Sequence, residues 1–131
     1  MKHLSKLTLI AAVFAIASIA QSAHHEGSEM PIDIHDIMEK GLKDDRRAGT
    51  VGLKTKVLKG EATVDEKKDL LAMFLSLEKF KVEKGDQEAF DAKADALTDA
   101  MIGVMAGVDG SLAKLEDAVN CKACHSEHKP D

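Results

Sequence analysis

The sequence has no tryptophan, no tyrosine and only four phenylalanines in 131 residues. One of these, Phe14, sits in an N-terminal apolar run, so a core must be built from Leu, Val, Ile, Met, Ala and Phe74, Phe80 and Phe90. A domain this small with so little aromatic area often needs a disulfide, a metal or a buried cofactor. Two prolines and almost no β-branched runs argue against a β-rich fold. A concentrated basic face is also missing. The net charge is −5 with the acids spread along the chain, which disfavours a nucleic-acid partner. At 44% hydrophobic and 31% charged residues, the chain is too apolar for a disordered protein and too polar for a multispan membrane protein. Its length allows one ordinary domain.

The N-terminus reads as an address. Lys2 and Lys6 make a basic start, and Leu7 to Ala20 carries no charge. A helix needs roughly 20 apolar residues to span a bilayer, so this run suits a secretory signal peptide over residues 1–20 better than a permanent anchor. Ser18 and Ala20 favour a cut after Ala20; Ala20 and Ser22 allow a later one, up to residue 23. The later cut, after Ser22, would leave Ala-His-His (Ala23, His24, His25) as a copper-binding end. Removing residues 1–20 takes Lys2 and Lys6 from the 18 basic residues and none of the 23 acids, a net of −7. The expectation is a periplasmic protein with no stable membrane insertion after cleavage. In that compartment two nearby thiols are oxidised unless something else uses them.

Residues 21–31 read as a flexible leader, and 32–131 as the domain. Asp33 is the expected cap of a first helical segment with Ile34, Ile37, Met38 and Leu42 on one face. The charged stretch Asp44 to Gly49 breaks it, and Val51, Leu53, Val57 and Leu58 resume a helix that Gly60 stops. Thr63 and Glu66 have capping-box spacing. Leu70, Leu71, Phe74, Leu75 and Leu77 supply the buried face of the helix they begin. Asp86 caps a third helix, in which Phe90, Ala94, Leu97, Met101, Val104 and Val108 form a heptad seam of the kind found in four-helix bundles. Beside the seam runs a stripe of small residues: Ala89, Ala92, Ala96, Ala100, Gly103 and Gly107. Glycine inside a helix costs roughly 1 kcal/mol relative to Ala. The stripe therefore implies a close neighbour, either another helix or a flat cofactor. Asp109-Gly110-Ser111 opens a last helix carrying Leu112, Leu115 and Val119. The expected fold is an all-α, antiparallel four-helix bundle.

The strongest motif is Cys121-Lys122-Ala123-Cys124-His125. Positions i, i+3 and i+4 share a helix face, so Cys121, Cys124 and His125 point the same way. C-x-x-C-H is the attachment sequence for c-type haem. Two thiols add across two porphyrin vinyl groups, and the adjacent imidazole is placed to ligate the iron. Export agrees with this chemistry, and a haem supplies the apolar area that the core lacks. Three competitors are weaker. A redox dithiol prefers a βαβ context. Zinc would need Cys121, Cys124, His125 and His128 in a cramped spacing. A disulfide closing so short a loop removes little unfolded-state entropy.

The sixth iron ligand decides between electron transfer and gas binding. Met38, Met73, Met101 and Met105 are the candidates. Met38 lies mid-face on the first helix, with His35 as a rival three residues earlier. Met101 belongs to the regular seam. His128 has two readings, a hydrogen bond to a haem propionate or no role, and Lys129 favours the helix C-terminus.

With these residues in hand, the chain resembles the class II cytochromes c, the cytochrome c′ group, over roughly residues 33–130. The resemblance rests on the C-terminal haem motif within Leu112-Ala113-Lys114-Leu115 through Lys129, and on Ile37-Met38-Glu39-Lys40 in the first helix. It implies a low-spin-like member with one covalent haem c, held by Cys121 and Cys124, His125 as proximal ligand and Met38 as distal ligand. Gly41 to Gly49 departs from the family's basic run after that Met. The expected function is single-electron transfer to and from redox partner proteins, without substrate turnover. A homodimer is compatible with the helix faces. The alternatives are a five-coordinate haem protein that binds nitric oxide or carbon monoxide, and a haem-free bundle with a Cys121–Cys124 disulfide.

Overall fold

The computed structural model describes residues 32–130. The expected signal peptide and leader lie outside the described residues. Among the described residues the fold is all-α, with no strand and one isolated bridge between Asp45 and Thr50. No helix there is long and apolar enough to cross a membrane.

Helix α1 (Ile34–Asp36) starts where the Asp33 carboxylate accepts the His35 N–H at 3.3 Å. It runs directly into a π-helical segment, Ile37–Leu42, which the Lys43 N–H closes onto the Met38 carbonyl at 2.9 Å. The segment buries Ile37 and Gly41. The charged stretch after it does more than break the helix. Asp45 Oδ1 accepts the N–H groups of Arg47 and Ala48, which shapes the turn. Asp44 accepts the Gly52 N–H at 2.9 Å and the Thr55 hydroxyl at 3.0 Å, so it organises the start of α2 (Leu53–Leu58) from eight residues upstream.

Helix α3 (Val64–Leu77) has the expected capping box: Glu66 N–H to the Thr63 hydroxyl, and Thr63 N–H to the Glu66 carboxylate. Lys56 pairs with the same carboxylate and ties α2 to α3. Leu70, Phe74 and Leu77 are buried, and Leu71 is half-buried. Leu75, expected on that face, is exposed, because it lies a full helical step beyond Phe74 and off the stripe.

Helix α4 (Gln87–Met105) is capped by Asp86, which accepts the Ala89 N–H at 2.8 Å. It buries the first four members of the seam: Phe90, Ala94, Leu97 and Met101. The seam then fades. Val104 is half-buried, and Val108 is exposed in the turn beyond the helix end. Gly107 also lies past that end, with φ of 70°, so Gly103 alone of the two is inside the helix. A Cβ at Gly103 would overlap the hydroxyl of buried Ser111, which opens α5 (Ser111–Ala118). The close neighbour of the small stripe is thus α5, at Gly103. Ala92 and Ala96 face solvent.

The last helix was expected to be continuous. Instead it breaks at Val119 and Asn120, and Asn120 caps α6 (Cys121–His128) by accepting the Ala123 N–H at 3.1 Å. Leu115 is buried, whereas Leu112 is exposed. The main packing is α3 on α4 and α4 on α5, and α6 rests on α4. The core runs from Ile37 through Leu70, Phe74 and Met101 to Leu115, all at most 1% exposed.

Candidate functional site

The break at Asn120 gives the cysteine motif a helix of its own. Cys121 is its first residue, and Cys124 and His125 follow on the same face. Both thiols are free. Cys121 is exposed; Cys124 is half-buried against the core. Burial pushes the Cys124 thiol above its usual range, which lowers its thiolate fraction and its reactivity in disulfide exchange.

Two cavities lie between this face and the first helix. The smaller, about 280 Å³, is lined by Met38, Leu42, Lys43, Val119, Asn120, Cys121, Cys124 and His125. The larger, about 460 Å³, is lined by Ile34, His35, Met38, Phe80, Val82, Glu83, Phe90, His125, His128, Lys129 and Pro130. Met38 and His125 line both. The two residues come from opposite ends of the described chain and are brought to the same pair of cavities.

The other methionine candidates line neither cavity. Met73 packs beside Gly41, where a Cβ would stand 2.9 Å from its sulfur. Met101 is fully buried in the core, and Met105 is on the surface. His35 lines the larger cavity only; its largely exposed ring has Nε2 3.5 Å from Glu39 Oε1. The groove between α4 and α5, beside Ala96, Ala100 and Gly103, is lined by no Cys or His, so the small stripe is not where the motif's chemistry converges.

The walls contain residues that the sequence pattern did not single out. Gln87 accepts the Val82 N–H at 3.0 Å and donates to the Phe80 carbonyl at 3.0 Å and to Asp91 at 2.7 Å. It thereby holds two wall residues against the start of α4. Phe90 serves both the core and the cavity, with its ring centroid 5.9 Å from that of Phe80. The signal for Gln87 was weak, because a glutamine at the first position of a helix is ordinary.

A flat apolar group anchored through two thiols fits this arrangement. The surface of both cavities is mainly apolar, both thiols share the smaller cavity, and an imidazole and a thioether border both cavities. Compared with known protein families, curated proteins and solved structures, the chain has no match.

Proposed function

We propose that the protein is an exported c-type cytochrome that carries single electrons on one covalently attached haem c. The observation that carries this reading is the pairing of Met38 with His125 along both cavities, with Cys121 and Cys124 on the wall of the smaller one. When bound there, haem c supplies a one-electron iron couple. The chain's own residues do the rest. Cys121 and Cys124 would hold it through two thioethers, each S–H adding across one vinyl group with no oxidant consumed. His125 would offer an imidazole nitrogen to the iron, and Met38 a neutral thioether sulfur. Leu42, Phe80, Val82 and Phe90 would give the group an apolar wall.

In the same reading the helices form an antiparallel four-helix bundle of the class II cytochrome c kind, the first segment, α3, α4 and the α5–α6 pair being its members. The protein resides in the periplasm, turns over no substrate and meets redox partner proteins. The raised Cys124 thiol weighs against a dithiol exchange role. Intact-mass measurement of the protein, exported from a host that matures c-type cytochromes, tests the proposal. One haem per chain is expected, lost when Cys121 and Cys124 are both replaced by Ala. A mature chain with no added mass overturns it.

A further inference from the structure

His128 neither attaches nor ligates anything in the reading above, yet it is the most enclosed polar side chain of the site, only 4% exposed. Its Nδ1 lies 3.4 Å from the Lys84 carbonyl. A carbonyl only accepts, so a hydrogen bond here requires Nδ1 to carry a proton. Nε2 is buried and makes no hydrogen bond. It stands 3.4 Å from the Glu127 carboxylate, which is bonded to Lys93 at 2.7 Å. The ring meets Phe90 edge-on, centroids 5.4 Å apart.

The loop opposite is shaped to this ring. Gly85 has φ of 85°, and a Cβ there would stand 2.6 Å from the Glu127 carbonyl and 2.7 Å from His128 Nδ1. Any side chain at residue 85 would push the loop away from α6. Gln87 ties down the beginning of the same loop through Phe80 and Val82. Phe80, Val82 and Glu83 then line the larger cavity together with His128. A buried imidazole with one bare nitrogen is costly. A Phe would fill the space more cheaply but could not donate to the Lys84 carbonyl.

We infer that His128 is a positioning residue: with Gly85 it latches the loop between Phe80 and Asp86 onto the haem-attachment helix and holds Phe80 and Val82 as an apolar wall of the larger cavity. This rests on the cytochrome reading for its effect on the iron. An apolar wall disfavours the extra positive charge of the oxidised iron, so the latch holds the reduction potential up.

The test measures reduction potential and amide hydrogen exchange in the loop, on the haem-loaded protein and its variants. His128→Ala is expected to keep covalent haem, lower the potential and speed exchange across Val82 to Gly85 several-fold. Gly85→Ala should do the same from the other side. The double variant should go no further than the stronger single one, because both changes release one contact. His128→Phe retains the ring against Phe90 and should still free the loop, while His128→Gln, which keeps a donor for Lys84, should restore part of the protection. The inference is overturned if loop exchange and potential stay at wild-type values in His128→Phe and Gly85→Ala, or if the two single effects add. Should the wild-type chain carry no haem, the function reading fails, and loop exchange in the haem-free chain still decides the latch.

Discussion

Met38 lines both cavities while Met73, Met101 and Met105 are each used elsewhere or left on the surface. Replacing Met38 by Ala should therefore turn a low-spin spectrum into a high-spin one and let carbon monoxide bind. Met73→Ala should leave the spin state alone. An optical titration with carbon monoxide distinguishes them, and a wild type that is high-spin and binds the gas readily would remove Met38 as ligand and favour the gas-binding alternative. The position of Met38 was legible in sequence because the apolar spacing around it is helical. The π-helical geometry that holds it was not, since apolar spacing alone does not separate an α turn from a wider one. His128 was also illegible. It lies in the last turn of a polar helix, and its burial comes from a loop more than forty residues earlier in the chain.

At the scale of elements, the caps were the most readable signals. Asp33, Thr63 with Glu66, and Asp86 all cap where their side-chain chemistry predicts. Thr63→Ala should cost about 1 kcal/mol in a urea melt, as cap removals typically do. The break before the motif went unread, although asparagine is a strong N-cap and Asn120 stands directly before Cys121. The pattern Leu112, Leu115, Val119 continues helically up to it, and periodicity outweighed the cap. The small stripe was half legible: its demand for a close neighbour is met at Gly103 by Ser111, while its outer alanines face water. Gly103→Leu should then destabilise the fold by about 1–3 kcal/mol, the usual range for overpacking. The spectrum should not change, because the clash falls on α5 and neither cavity is lined by Gly103. A spectral shift at unchanged stability would contradict this placement.

For the whole molecule, stability at low pH depends on carboxylates that accept hydrogen bonds at turns and helix starts. The Gly52 N–H holds Asp44 below the usual carboxylate range, with help from the Thr55 hydroxyl. The N–H groups of Ala48 and Arg47 do the same for Asp45, and Lys56 does so for Glu66. Each group's folded-state pKa is lower than its unfolded one. Its contribution is present above the ordinary carboxylate range and lost as pH falls through the folded value. Thermal midpoints should thus hold steady from neutral pH down to that range and drop below it. Asp44→Asn should flatten part of the drop; an unchanged acid limb would show that Asp44 does not organise the start of α2.

The thin aromatic core was legible from composition, and the structure spends two of its three described phenylalanines, Phe80 and Phe90, on the cavity wall. A group filling both cavities and binding only the folded state would stabilise the molecule strongly. The central claim is that this group is a haem joined to Cys121 and Cys124 and ligated by His125 and Met38. Oxidised and reduced absorption spectra of the protein, exported from a host with cytochrome maturation, test it most directly. The account predicts a c-type haem spectrum that is low-spin in both oxidation states. A folded, exported protein with no haem absorption and a Cys121–Cys124 disulfide would contradict it.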